Sequence, residues 1–382
     1  MGVYARCACL VTAGAAAVAL SSLAAPVAAS AATTSQARTT VFSSKLWKLD
    51  AIAMDGSKLA IAREARLQVF PPGVRRPTFA LCHEVDVTGV TSPRLVRVSL
   101  RSRGDYCGNG GFGQSEASSF LTLGGSHAYW VYAQLGNTEV AQTLFTGAPG
   151  TTQRVLFRPV PGQRPTGPFL GPIAASGPTL AYSQWRRVYL PLGCDPFAGG
   201  QCTLSAPRDM TLTLDGHRVS VPAPGGVVAS VDKGRAAVML GDGRVAVVSR
   251  HAAPVITTPI ARVTGRVDDA ALAGRWLVLL VNQRMCVFDA ATGRARAACW
   301  PAQGATHVDV WNGIAVVATH RQIVAVRLSN GHRQVIQQLG AGRKFVGGAQ
   351  IEAGGIVWAT QPVHDTGTGL NAIFRVPVPH LH

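Results

Sequence analysis

Residues 267–300 read VDDAALAGRWLVLLVNQRMCVFDAATGRARAACW. Four short segments separate at once: DDAALAG, RWLVLLVNQ, MCVFDA and RARAACW. Each is dominated by Val, Leu, Ala or aromatic residues. Turn formers punctuate them at Gly274, Asn282 and Asp289-Ala-Ala-Thr-Gly293. No helical period of apolar residues runs through the stretch, and short apolar segments between turn signals are strand signals. The segment therefore predicts four consecutive antiparallel strands, a to d.

The same pattern recurs along the chain. Aligned on the glycine that follows strand a, the copies are DAIAMDG, SFLTLGG, PIAASG, ASVDKG, DDAALAG, VDVWNG and AQIEAG, ending at Gly56, Gly125, Gly177, Gly234, Gly274, Gly313 and Gly354. The spacings are 69, 52, 57, 40, 39 and 41 residues. The last three match one four-stranded blade. The longer ones carry insertions, placed at residues 79–118 after the third strand of blade 1 and at 190–210 in blade 3. The last copy offers AQIEAG, IVWATQ and NAIFRVPV and then stops, one strand short. TTVFSSKL at residues 39–46 is one strand too many. The fold expected is all-β: a β-propeller of seven four-stranded blades, closed by an N-terminal strand that completes the last blade. Closure of this kind removes open sheet edges.

The turn FDAATGR resembles the Asp-x-x-Thr-Gly-Lys/Arg turn between strands c and d of propellers in the quinoprotein, YVTN and WD40-like repeat superfamily. Asp289, Thr292, Gly293 and Arg294 match it. Val287 departs from the Ala that precedes the Asp there, and Ala297 stands where a Trp is usual, with Trp300 displaced. The resemblance covers one blade well; RLSNGHR keeps only an Asn-Gly turn. It implies the propeller fold and a structural turn whose polar side chains bond backbone. It does not imply a pyrroloquinoline quinone site. Neither adjacent cysteines nor a cofactor constellation is found, and no cofactor is expected.

The N-terminus reads as a secretory signal peptide over residues 1–31. MGVYAR precedes a soft apolar run, and Ala29-Ser30-Ala31 is a small-residue cleavage site. The mature domain would span residues 32–382, secreted or held at the cell envelope. No later stretch is long and apolar enough to span a membrane. Six cysteines remain in the mature chain, an even number that favours disulfides outside the cytoplasm. Cys194 and Cys202 bracket a Gly-rich loop. Cys286 and Cys299 oppose each other if Thr292-Gly293 is the c–d turn, leaving Cys82 for Cys107. There is no C-x-x-C pair and the ten histidines are scattered, so no metal is expected.

The formal net charge is +17, from 36 basic and 19 acidic residues. Such a field attracts anionic surfaces or polymers. An exported chain without a nucleic-acid module excludes nucleic acid as the expected partner. The acids concentrate where strands a begin: Asp50, Asp268, Asp269 and Asp309, with His307. Two readings stand. Grouped at the channel mouth they would bind a cation, a cationic or sugar ligand, or do acid–base chemistry; otherwise they are polar strand starts. Arg66, Arg187, Arg244, Arg284 and Arg321 recur at the b–c turns of five blades. They are either a ring for anionic ligands or repeated scaffold residues. The expected function is a monomeric, non-enzymatic binding protein for an anionic cell-envelope polymer or another protein. The alternatives are a channel-mouth lyase or hydrolase using Asp268, Asp269, Asp309 and His307, and a purely structural surface protein.

Overall fold

A computed structural model describes residues 38–69, 78–99, 115–135, 140–158, 169–186, 189–190, 203–204, 208–223, 225–257, 267–296, 299–363 and 369–381. The chain divides after Ala32, and all described residues belong to the second unit. The expected signal peptide, residues 1–31, lies outside them, as do Arg187, Cys107, Cys194 and Cys202.

The molecule is a β-propeller of seven antiparallel four-stranded blades, with no helix among the described residues. The inner strands are Lys48–Asp55, Ser115–Gly124, Phe169–Ser176, Gly226–Asp232, Val267–Ala273, Ala305–Trp311 and Arg343–Glu352. Blade 7 is completed by Thr39–Ser44, which pairs with Asn371–Val376 at the far end of the chain.

The continuous apolar run WLVLLV of blade 5 follows from burial on both faces of its sheet. Leu277, Leu279 and Val281 pack toward Ala237, Val245 and Val247 of blade 4. Val278 and Leu280 pack toward Val308, Val310 and Val317 of blade 6. Each buried aliphatic side chain contributes about 2 kcal/mol of transfer free energy. The core is thus a circle of inter-blade seams.

All seven a–b connections are two-residue turns. The repeated glycine sits first in the turn in blades 1, 2, 3 and 5, and second in blades 4, 6 and 7, as in Lys233-Gly234 and Asn312-Gly313. Both residues of those two turns have positive φ, the primed geometry that suits a twisted hairpin. The glycines have a second duty. Gly177 and Gly274 donate their backbone N–H to Asp55 and Asp232 of preceding blades, at 2.9 and 2.8 Å. Gly234 donates to Thr179 Oγ1 at 2.9 Å, and Gly354 donates to Gly56 O at 3.0 Å across the closure.

Three expectations need correction. Strand b of blade 1 does not end before Arg66: it runs unbroken from Lys58 to Val69 and pairs along its whole length with strand c, Thr78–Gly89. Arg63, Glu64 and Arg66 look like turn residues but are paired across the sheet with Glu84, His83 and Leu81. The stretch 79–118 is therefore not one insertion: it contains strands c and d of blade 1, and its end, Ser115–Ser118, belongs to strand a of blade 2. In blade 3, strand c is Arg208–Leu214, not the segment after Arg187. Tyr189–Leu190 and Thr203–Leu204 form a separate small hairpin between strands b and c.

The c–d hairpin of blade 5 carries the disulfide expected between Cys286 and Cys299, with Cα atoms 4.2 Å apart. Cys82, fully buried, is disulfide-bonded as well. Strand d is shorter than RARAACW suggests. Trp300–Pro301 pairs with Arg284 and Met285, while Ala295 bridges Phe288, so the register shifts by two residues between them. Asp289 Oδ1 accepts the backbone N–H groups of Ala291 and Thr292 at 3.0 and 3.1 Å. The FDAATGR turn is the backbone-bonded turn its resemblance implied.

Candidate functional site at the central channel

Every inner strand carries a β-bulge a few residues before its a–b turn: at Asp50, Phe120, Gly171-Pro172, Ala229, Asp268, Thr306 and Gly347-Gly348. A bulge re-aims the side chains beside it. Beyond it, every second side chain faces the channel. Three tiers result, counted back from the first turn residue.

The tier next to the turn holds Asp55, Ser176, Asp232, Ala273, Trp311 and Glu352. The middle tier holds Ala53, Thr122, Ala174, Ser230, Ala271, Asp309 and Gln350. The upper tier includes Asp269, His307 and Gly348. Nearly all of these residues line a single cavity of about 770 Å³, with Arg275 and Lys233 beside its turn end.

Much of this polar wall fastens blade to blade. Ala175 N–H donates to Thr122 Oγ1 at 2.8 Å, and Leu272 N–H to Ser230 Oγ at 3.2 Å. Val308 N–H donates to Asp269 Oδ2 and Ile351 N–H to Asp309 Oδ2, both at 2.9 Å. Gln350 Nε2 closes the circle by donating to Ile52 O at 3.2 Å. These side chains satisfy strand N–H groups that the neighbouring blade would otherwise leave unpaired at the channel wall.

Asp269, His307 and Asp309 do come together. His307 Nδ1 lies 2.8 Å from Asp269 Oδ2, because the two occupy the same tier of adjacent blades. Burial works against an imidazolium, but Asp269, and then Asp309, outweigh it and hold His307 above the usual histidine value. Burial pushes Asp309 up, opposed by its backbone hydrogen bonds and by His307. Gly348 makes room for the imidazole: a Cβ there would lie 2.4 Å from the His307 ring.

Glu352 has no counterpart among the residues singled out from sequence. Burial, then the carboxylates of Asp309, Asp55 and Asp232, push it up to about 8, so it is largely protonated at neutral pH. Its signal was available: an acid directly before a two-residue turn, as at Asp55 and Asp232.

The other expected residues are dispersed. Asp268 is the exposed bulge residue of blade 5. Asp50, the bulge residue of blade 1, lies beside Glu64 and His83 instead of lining the cavity. Arg244, Arg284 and Arg321 stand at b–c turns as the sequence pattern suggested, while Arg66 is exposed near the end of strand b. Arg244 is clamped within its own turn, its Nε donating to Asp242 Oδ2 at 2.7 Å. Arg284 caps Cys299 O at 2.8 Å.

Sequence comparison gives no match to any protein-family model or any curated protein. Structural comparison gives many propellers. The WD40 domain of Pan2 from Neurospora crassa aligns with a TM-score of 0.51 at 11% identity, covering 90% of this chain and 97% of that one. Hsv2 of Kluyveromyces lactis gives 0.49 at 10% identity, over 87% and 100% of the two chains. BamB from Moraxella catarrhalis gives 0.39 at 11%, over 89% and 100%. At these identities the likeness concerns the fold: the class is a seven-bladed β-propeller.

Proposed function

We propose that this propeller is a monomeric, non-enzymatic binding scaffold, exported by cleavage after Ala31, that engages an anionic polymer of the cell envelope. The observation that carries the reading is how charge is partitioned. Among the described acidic residues only Asp209, Asp242 and Asp268 are exposed, and Asp242 is paired with Arg244. The remainder sit in seams, turns or the channel. Exposed basic groups are spread widely, among them Arg38, Lys58, Arg66, Arg94, Arg218 and Arg321. A partner approaching from outside therefore meets a field of one sign. The Cys286–Cys299 disulfide supports an oxidising compartment. The channel acids weigh toward structure over catalysis, since Asp269 and Asp309 each hold a strand of the next blade.

The test is retention of the protein on immobilised poly(glycerol phosphate), with phosphatidylglycerol vesicles and polyglutamate as parallel arms. Binding should fall at least tenfold between about 50 and 500 mM salt, as screening requires. Joint replacement of Arg66, Arg284 and Arg321 by Ala should weaken it at least tenfold, and Arg244→Ala far less. Preference for polyglutamate alone would favour an acidic protein partner. Absence of binding to all three at low salt, or insensitivity to salt and to the triple variant, overturns the proposal.

A further inference from the structure

Away from the channel, on the face of blade 1 that looks toward blade 2, three metal-ligating side chains converge. Asp50 comes from the bulge of strand a, Glu64 from strand b and His83 from strand c. Glu64 and His83 are direct cross-strand partners. The bulge between Leu49 and Ala51 leaves Asp50 free to join them. One ligand atom from each lies within 4.8 Å of the others.

His83 is the decisive residue. It is 3% exposed, and neither ring nitrogen has a hydrogen-bond partner. Asp50 Oδ2 is buried and unpartnered in the same way. His83 Nδ1 lies 3.7 Å from Asp50 Oδ2 and 3.9 Å from Glu64 Oε2. Those gaps are too long for hydrogen bonds. Leaving such groups buried and unpaired is costly.

With edges of 3.7 and 3.9 Å and a third of at most 4.8 Å, a point equidistant from the three atoms lies roughly 2–2.5 Å from each, so a small inward turn of the side chains reaches the roughly 2.0–2.2 Å of zinc bonds to imidazole and carboxylate. Lys48 engages the other oxygen of Glu64, Oε1, which leaves Oε2 facing His83. The Tyr132 ring of blade 2 lies edge-on to the imidazole, with centroids 6.3 Å apart.

We propose that Asp50, Glu64 and His83 form a binding site for a zinc-class divalent cation, which locks strands a, b and c of blade 1 together against blade 2. One imidazole and two carboxylates suit Zn²⁺ and, more weakly, Mn²⁺. No sequence motif announces the site, because its ligands meet only through strand pairing.

The test is calorimetric titration of Zn²⁺, then Mn²⁺, into chelator-treated full-length protein, with thermal melts in parallel. One Zn²⁺ per chain should bind, and the melting temperature should rise by several degrees. His83→Gln and Asp50→Asn should each weaken binding at least tenfold, while His307→Gln in the channel should not. Should His83→Gln fail to fold, the near-isosteric Asp50→Asn decides. Zero stoichiometry overturns the proposal, as does equal affinity in wild type and Asp50→Asn, or equal loss in His307→Gln.

Discussion

At the residue scale, the channel stores an electrostatic cost in Glu352. Its carboxyl titrates near 8 in the folded chain, against about 4.5 when unfolded. Between those values the unfolded state releases a proton that the folded state retains, so stability falls as pH rises through this window. Glu352→Gln should therefore melt with the wild type near pH 4 and above it at pH 8, by an amount on the order of a few kcal/mol. Equal melting points at pH 8 would refute this. His307 contributes a gain where Glu352 contributes a cost, although both weaken the fold as pH rises. Its folded value is raised, so its pairing with Asp269 stabilises fully below about 6.5, the unfolded value, and is lost as pH rises through the folded one. His307→Gln should cost about 2 kcal/mol at pH 5.5 and progressively less in alkaline melts. The sequence made Asp269, His307 and Asp309 visible because acids are scarce and the three fall near strand starts. It could not separate them from Asp50 and Asp268. A bulge shifts the alternation by one residue, and the glycine landmark itself moves by one position between turns such as Gly274-Arg275 and Asn312-Gly313. Asp268 and His307 each lie six residues before their repeat glycine, Gly274 and Gly313, yet the folded chain sets His307 level with Asp269.

At the element scale, the c–d hairpin of blade 5 is held at two points. Asp289 organises the turn, and its carboxyl is kept below the usual range by its hydrogen bond from Arg296. The disulfide holds the other end, beyond the point where the register slips by two. Closing a loop of this size in the unfolded chain is worth about 3 kcal/mol on the chain-entropy account. Replacing Cys286 and Cys299 together by Ser should lower the melting temperature by roughly 3–5 °C, and a calorimetric scan unchanged within a degree would refute this. Element order was legible wherever turns were short and glycine-marked, as in blades 4 to 6. It was misread where the strand was longer than the template. In blade 1, Arg63 and Glu64 carry the charge of a turn but lie in mid-strand. Arg63 reaches Glu84 at 2.7 Å and Asp86 at 2.8 Å on the neighbouring strand of the same blade, where both acids are almost fully buried. Burial raises Asp86, and Arg63 draws it back. Charged residues inside a sheet become intelligible only once the opposite strand supplies their counterions.

At the scale of the whole molecule, the last blade is completed by a strand from the other end of the chain, which adds to the seam between blades 7 and 1. Thr39–Ser44 pairs with Asn371–Val376, more than 300 residues away in sequence. Val41 lies in the same core cluster as Ile373, Val357 and Ile61, so the closing strand joins blade 7 to blade 1 as well as completing a sheet. Arg38 lies 4.1 Å over the Phe374 ring at the start of that strand. Contacts this distant in sequence are gained late and cost the most loop-closure entropy. Once made, they give blade 7 the outer strand that ends its sheet, so that Asn371–Val376 is no longer an edge. Val41→Asp tests this directly, because a carboxylate at a site only 7% exposed cannot be accommodated without releasing the strand. The variant should lose at least about 3 kcal/mol of stability. It should also expose the unpaired edge of Asn371–Val376, and exposed edges recruit strands from other chains. Light scattering should therefore show a larger, more concentration-dependent particle mass for the variant than for the wild type, and proteolysis should begin at the two chain ends. A monomeric variant melting within about a degree of wild type would mean that the six complete blades hold the ring shut without it.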